Sequence, residues 1–293
     1  MSGRFGRVLT AMVTPFDDSG ALDLGAAAEL AQFLVETGTD GLVLAGTTGE
    51  SPVLSESESA ALFRRVRESV TVPLLAGAGS NSTTHAVELT RMATDAGMDG
   101  ILSVTPYYNR PPQAGLLHHF TAVANATDLP VMIYDIPVRT GRKVATNTLL
   151  ELATEVDNIV AVKDAAGDAV ESARLIAAAP EGFELYSGDD AMTLPLLAVG
   201  AVGVVSVASH WAATQFGEMV DAHAKGDVAT ARRINALLAE SFAFESSDDA
   251  PNPIPTKAMM RVLGLRVGAC RPPMVGEPED LETRARAVLE GLG

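Results

Sequence analysis

The chain has 293 residues, of which 47% are hydrophobic, and its formal net charge is −16. This length allows one large core, and the acidic charge excludes a nucleic-acid partner, because phosphate contacts need lysine and arginine. The single cysteine, Cys270, excludes an intrachain disulfide framework and favours a reducing cytoplasmic location. The most apolar stretch, 191–208, is interrupted by Pro195, Gly200 and Gly203, so a buried helix, a turn and a strand are predicted there rather than a membrane span.

Short apolar runs recur along the chain with helical patterns between them. From the second run onward they start 21 to 32 residues apart, as successive βα units do. The sequence therefore predicts an α/β protein whose strands close into a (β/α)8 TIM barrel. The predicted strands are Val8–Val13, Leu42–Ala45, Leu74–Gly77, Ile101–Val104, Val131–Tyr134, Ile159–Lys163, Phe183–Tyr186 and Val204–Val207.

Helix ends carry their own signals. Ser55 and Glu58 predict a capping box for the helix that follows, and Asn81 is predicted to cap the next one. Glycines stand between a helical pattern and the next strand, where they commonly end a helix, at Gly38, Gly97 and Gly200.

Strand signals stop at about residue 225. Asp227–Phe244 is helical in pattern, Pro255 can open a helix, and Glu279–Leu292 predicts a final helix. We therefore predict a barrel over residues 1–224 that contains the active site. A C-terminal helical extension over residues 225–293 would have a packing or oligomer-contact role.

The active site of such a barrel lies at the carboxyl ends of its strands. Lys163, one of four lysines in the chain, ends the buried run Ile159–Lys163. Burial disfavours the ammonium and lowers the lysine pKa, which leaves a free amine that can attack a carbonyl group. The alternative is a structural lysine paired with Asp164 or Asp189.

Two neighbouring strand ends carry further chemical groups. Tyr134 ends the strand before Lys163, where its phenol could move a proton to and from a Schiff base; a core tyrosine is the alternative. Thr47 and Thr48 lie in a glycine-flanked turn whose N–H groups and hydroxyls could hold a carboxylate. Because the histidines lack metal-ligand spacing and no dinucleotide motif is present, we predict neither a metal nor a cofactor.

Together these motifs resemble the dihydrodipicolinate synthase (4-hydroxy-tetrahydrodipicolinate synthase) family within the N-acetylneuraminate lyase superfamily. The likeness runs from Thr10 to Met274, nearly the whole chain. The motifs that carry it are Gly46-Thr-Thr-Gly-Glu-Ser51, Thr105-Pro-Tyr-Tyr-Asn109, Tyr134-Asp-Ile-Pro-Val-Arg-Thr-Gly141, Val162-Lys-Asp164, Ser187-Gly-Asp-Asp190 and Asn252-Pro-Ile-Pro-Thr-Lys257.

The resemblance implies a catalytic set. Lys163 would bind pyruvate as a Schiff base, and Thr47 and Thr48 would hold the pyruvate carboxylate. Tyr134, Thr48 and Tyr108 would form a proton relay, with Tyr108 supplied by the neighbouring subunit of a homodimer or homotetramer.

The resemblance also implies the reaction and the rest of the substrate site. The enamine of pyruvate would attack L-aspartate 4-semialdehyde to give 4-hydroxy-tetrahydrodipicolinate, in lysine and diaminopimelate synthesis. Gly188 and Val205 would contact substrate.

Arg139 separates this reaction from those of sister aldolases. A guanidinium grips a short substrate's carboxylate bidentately, and the 2-keto-3-deoxy sugar acid aldolases and N-acetylneuraminate lyases tend to lack it. A loop ion pair of Arg139 with Asp135 or Glu50 is the alternative. At position 135 this chain has aspartate where the resembled family more commonly has asparagine. At position 138 it has valine where the family usually has glycine or serine. A non-catalytic small-molecule-binding barrel is a further alternative, against which Lys163 and Tyr134 both argue.

Lysine-inhibited relatives carry an acid where this chain has His85, and histidines at the positions of Glu56 and Ser59. Because an imidazole does not supply a full negative charge to a ligand ammonium, we predict weak or absent feedback by L-lysine.

Overall fold

The computed structural model describes residues 3–293. Its eight strands are parallel and close into a barrel in sequence order, with the last strand paired to the first, so the predicted TIM barrel is confirmed. The strands are β1 (Val8–Ala11), β2 (Gly41–Leu44), β3 (Leu74–Gly77), β4 (Gly100–Val104), β5 (Val131–Asp135), β6 (Ile159–Asp164), β7 (Glu184–Ser187) and β8 (Gly203–Ser206).

Helices connect and surround the strands. The barrel helices are α1 (Leu24–Glu36), α2 (Glu56–Arg67), α3 (Thr83–Asp95), α4 (Gln113–Ala124), α5 (Pro137–Thr140), α6 (Thr146–Glu155), α7 (Ala169–Ala178), α8 (Thr193–Leu197) and α9 (Ser209–Ala224). Four more follow: α10 (Val228–Leu237), α11 (Ala239–Phe244), α12 (Ile254–Val262) and α13 (Leu281–Leu292). The division between barrel and extension at residues 224 and 225 stays a prediction.

Local capping explains several helix ends. The predicted capping box at α2 is confirmed, with Ser55 and Glu58 each bonded to the other's backbone N–H. The predicted cap at Asn81 is wrong by one residue: the side chain of Ser82 accepts from the N–H of His85 and caps α3. Gly38, Gly97 and Gly200 all have positive φ, as helix-terminating glycines do.

The barrel interior is a packed core. Alternate side chains along each strand point inward, and those that pack together there are Leu9, Val43, Leu75, Leu102, Met132, Tyr134, Ala161, Tyr186 and Val205. The other side chains of the strands pack against the surrounding helices in a second, larger cluster. In the pairing of β5 with β6, Tyr134 lies opposite Lys163, so both side chains stand at the same level of the barrel mouth.

The apolar stretch 191–208 forms α8, a turn and β8, as predicted. Among residues 3–293, no helix combines the length and the apolar character needed to cross a bilayer.

Candidate active site

Lys163 lies near the end of β6 with its side chain buried. Its Nζ stands 4.1 Å from the centre of the Tyr134 ring. Burial lowers the pKa of Lys163 to about 8, with Arg139 contributing in the same direction and Asp190 opposing. A lysine in this setting supplies a much larger fraction of free amine at neutral pH than an exposed one.

The structural alternative for Lys163, an ion pair, does not occur. Within residues 3–293 the lysine ion pairs are Lys143 with Asp135 and Lys257 with Glu50. The Asp164 carboxylate instead accepts from the Ser172 hydroxyl and from the N–H of Ala166. Lys163 is therefore free for covalent chemistry.

Tyr134 is buried, and burial raises the pKa of its phenol. Thr47 and Tyr134 line the same small cavity, and the Thr47 side chain lowers the pKa of the phenol, against the effect of burial. Thr48, the predicted relay partner of Tyr134, does not line this cavity, and its relay role stays a prediction. A buried tyrosine that stays protonated and is linked to a hydroxyl can pass a proton without forming a phenolate in the resting site.

The turn after β2 holds both threonines in an unusual backbone conformation. Ala45 and Glu50, which flank it, have positive φ values of 50° and 57°. In the described part of the chain, no protein acceptor takes the backbone N–H of Thr47 or Thr48. Two adjacent N–H groups without a protein acceptor suit a carboxylate, and the carboxylate-holding role of this turn stays a prediction.

Thr48 is buried and bonds the C-terminal part of the chain. Its Oγ1 accepts a hydrogen bond of 2.9 Å from Nδ2 of Asn252. Since the hydroxyl accepts here, its own proton remains available to a second partner. Asn252 lies in the quoted motif Asn252-Pro-Ile-Pro-Thr-Lys257, but the sequence analysis assigns it no role, because nothing local connects residues 48 and 252.

Gly188 lies directly against the Lys163 side chain, whereas Val205 lies within the barrel core. A Cβ atom at Gly188 would lie 2.8 Å from Cγ and 3.0 Å from Cε of Lys163, so any other residue there would displace the lysine. Val205 is buried inside the barrel on β8. Gly188 therefore makes room for the extended Lys163 side chain.

Arg139 lies on α5 beyond β5 and lines a cavity of about 200 Å³ together with Thr47 and Asn252. Its side chain is exposed and pairs with no carboxylate among residues 3–293. The two acids proposed as alternative partners, Asp135 and Glu50, are both paired with lysines. An unpaired guanidinium at the mouth of the site is ready to bind an anionic substrate group.

Tyr108 projects from the loop after β4. It is 90% exposed and has a φ of 72°. The side-chain amide of the next residue, Asn109, donates to the carbonyl of Asn81 and anchors the loop. Within one chain, Tyr108 is not part of the buried group around Lys163, so the relay position predicted for it needs a second subunit.

A separate cleft of about 160 Å³ is lined by Ser51, Glu56, Ser80, His85 and Tyr107, among others. Nδ1 of His85 lies 3.5 Å from a carboxylate oxygen of Glu56 and 3.8 Å from one of Glu88. These three residues are the only potential metal-ligand group among the described residues, and two of them are exposed. The group lies on α2 and α3, apart from the strand end that carries Lys163.

Comparison with known proteins agrees with this geometry. The model of the dihydrodipicolinate synthetase family matches residues 4–291. The chain belongs to this family. It is 47% identical to the 4-hydroxy-tetrahydrodipicolinate synthase of Moorella thermoacetica over 99% of both chains, and 46% identical to that of Bacillus subtilis over 94% of this chain and 95% of the relative.

Among solved structures, the chain is similar to the dihydrodipicolinate synthase of Cyanidioschyzon merolae with lysine bound. The TM-score is 0.96, with 44% sequence identity over 100% of this chain and 99% of the other. At this level of identity the family resemblance inferred from the motifs is confirmed.

Proposed function

We propose that the protein is a Schiff-base pyruvate aldolase that condenses pyruvate with L-aspartate 4-semialdehyde to 4-hydroxy-tetrahydrodipicolinate, in lysine and diaminopimelate synthesis. The observation that carries the proposal is Lys163, a buried, unpaired lysine with a lowered pKa at the mouth of the barrel. The family relatives named above, matched over nearly their whole length, support the same reaction.

The first half of the reaction activates pyruvate. The amine of Lys163 attacks the keto carbon, water leaves, and a protonated imine forms. The N–H groups of Thr47 and Thr48 hold the pyruvate carboxylate. The methyl group then loses a proton, which the Tyr134 phenol relays to the hydroxyl of Thr47. Because Thr47 and Tyr134 line one cavity, we propose Thr47, rather than Thr48, for the relay.

The second half forms the new carbon–carbon bond. The enamine carbon attacks the aldehyde carbon, and the aldehyde oxygen takes the relayed proton. Arg139 binds the carboxylate of the semialdehyde, and Gly188 and Val205 border the space that it enters. The amino group of the product then attacks the imine carbon, closes the ring and releases Lys163.

A product assay tests the assignment. Purified protein is given pyruvate with L-aspartate 4-semialdehyde, or is given N-acetylneuraminate or 2-keto-3-deoxygluconate to cleave. We expect the semialdehyde to give the highest kcat/KM. Faster cleavage of either sugar acid would show that the protein is a sister aldolase of the same superfamily. The absence of any pyruvate adduct would contradict the aldolase proposal itself.

We further propose that the enzyme works as a homodimer or a dimer of dimers, with Tyr108 completing the partner's relay. A tyrosine that is 90% exposed on a loop beside the active site is commonly covered by another surface. The cytoplasmic location of the enzyme stays a prediction.

Mixing two inactive variants tests the shared site. Tyr108→Phe lacks the projecting hydroxyl, and Lys163→Ala lacks the nucleophile. In a mixed dimer, one of the two sites has both groups intact, so we expect recovery of up to about half of the wild-type activity per mixed dimer. Mixed dimers verified by mass spectrometry that stay inactive would contradict the proposal, and either variant mixed with itself is the control.

Feedback by L-lysine is expected to be weak or absent. Glu56, which could replace the missing acid, already lies beside His85. Loss of an ionic hydrogen bond to a ligand ammonium weakens binding by about 2–3 kcal/mol, or roughly 30- to 150-fold. A titration at saturating substrates tests this: half-inhibition below about 1 mM would show that Glu56 serves the ligand, and His85→Glu is expected to strengthen inhibition.

A further inference from the structure

The segment that carries Arg139 is closed on itself by one ion pair between a buried aspartate and a half-buried lysine. Asp135, the last residue of β5, is fully buried. Its Oδ2 accepts from Nζ of Lys143 at 2.5 Å, and its Oδ1 accepts from the N–H of Val144 at 3.1 Å. Both ends of segment 135–144 are therefore tied through a single carboxylate.

Inside this segment the chain makes one compact turn. Helix α5 is four residues long and ends at Gly141, whose φ is 69°. The hydroxyl of Thr140 lies 2.9 Å from the carbonyl oxygen of Arg142 and 3.1 Å from that of Ile136, and it can donate its single proton to either. Arg139 stands at the outer end of this turn with no ion pair of its own among residues 3–293. Its backbone position is thus determined by how the segment closes.

We propose that Asp135 and Lys143 are positioning residues that hold Arg139 over the active site and so set the affinity for the second, carboxylate-bearing substrate. The inference rests on the proposed function, in which Arg139 binds that carboxylate. It assigns a role to Asp135, which stands where the resembled family more commonly has asparagine, and to Lys143, which pairs with it.

The charge of both partners matters to this closure. Asparagine at position 135 could still accept a hydrogen bond from the N–H of Val144. An amide has only one acceptor oxygen and no negative charge, so it would not also form an ion pair with Lys143. Asp135 also lies opposite Asp164 on β6. Burial and the Asp164 charge raise the pKa of Asp135, and the Lys143 ammonium acts in the opposite direction. Because the Lys143 side chain is 35% exposed, solvent screens the pair and its net contribution to stability is small, so the role that we assign to it is the geometry of the segment.

The expected effect follows from the accuracy that substrate binding needs. A displacement of about 1 Å in a group that positions a substrate can cost on the order of 100-fold in rate. We expect Lys143→Met and Asp135→Asn each to raise the KM for L-aspartate 4-semialdehyde by about 10-fold or more. The rate of borohydride-trapped pyruvate adduct formation is expected to stay near that of the wild type, because Lys163 and the threonine turn are not part of the segment.

The test is a double-variant cycle with Arg139→Ala. If Lys143 acts through Arg139, Lys143→Met will cause little further rise in KM once Arg139 is absent. Lys143→Arg keeps the positive charge, so its KM for the semialdehyde is expected to stay close to that of the wild type. Lys225→Met, which removes an exposed lysine elsewhere, is the matched control. An unchanged KM in folded Lys143→Met, or an equal rise with and without Arg139, would overturn the proposal.

Stability is measured in parallel, so that a folding defect is not mistaken for a positioning role. The pair Asp135→Asn with Lys143→Met removes both charges, and we expect it to regain thermal stability but not the low KM. Recovery of both together would show a purely structural pair and overturn the inference. Failure of the proposed function looks different, since the wild type would then prefer another substrate in the product assay.

Discussion

Lys163→Ala is expected to abolish turnover and the borohydride-trapped pyruvate adduct. Removing the nucleophile of a covalent mechanism lowers kcat by as much as about 10⁶-fold in well-studied cases, so the residual rate is expected to lie near the detection limit. Mass spectrometry of the reduced wild type will find one adduct, on the peptide that contains Lys163. Lys225→Ala, at an exposed position, is the matched control and is expected to be fully active.

The pH dependence of trapping gives an independent check on Lys163. Only the neutral amine attacks pyruvate, and burial lowers the pKa of Lys163 to about 8. The adduct rate at low pyruvate concentration will therefore rise with pH and level off above about pH 8, whereas an ordinary lysine would level off near pH 10. Trapping on Lys143, or a rate that still rises tenfold per pH unit at pH 9, would contradict the assignment.

Arg139→Ala is expected to lower kcat/KM for L-aspartate 4-semialdehyde roughly 30- to 1,000-fold. This range corresponds to about 2–4 kcal/mol for a lost bidentate, charge-assisted contact in the transition state. Pyruvate binding does not use Arg139, so adduct trapping is expected to persist. Steady-state kinetics with each substrate varied in turn measure both effects.

Two further variants sharpen the Arg139 result. Arg139→Lys keeps the charge but loses the bidentate geometry, so it is expected to recover only part of the rate. Arg91→Ala, at an exposed position on α3, is the control for loss of a surface arginine. Equal loss of adduct trapping and condensation in Arg139→Ala would mean that the residue supports the fold of the site rather than the second substrate.

The C-terminal helical extension (residues 225–293), called the tail below, shows which features of this chain the sequence pattern predicts and which it does not. Its helices are predictable from apolar spacing, and α12 and α13 occur close to the predicted positions. The expected role, packing or oligomer contact, is incomplete, because the tail also lines the site. Asn252 bonds Thr48, and Lys257 pairs with Glu50 in a buried position. Residues about 200 positions apart leave no local signal of such contacts.

The barrel and its chemically active strand ends follow from the sequence by itself, and the physical reason is local. Burial on both faces requires continuous apolar runs, and parallel strands in chain order bring Tyr134 and Lys163 to the same mouth. Only the tertiary structure shows that Thr47 rather than Thr48 shares a cavity with Tyr134, because the conformation of the turn is not evident from residue types alone. Likewise, only the folded segment shows that Asp135 forms its ion pair with Lys143 rather than with Arg139, because the pairing depends on distances across a loop.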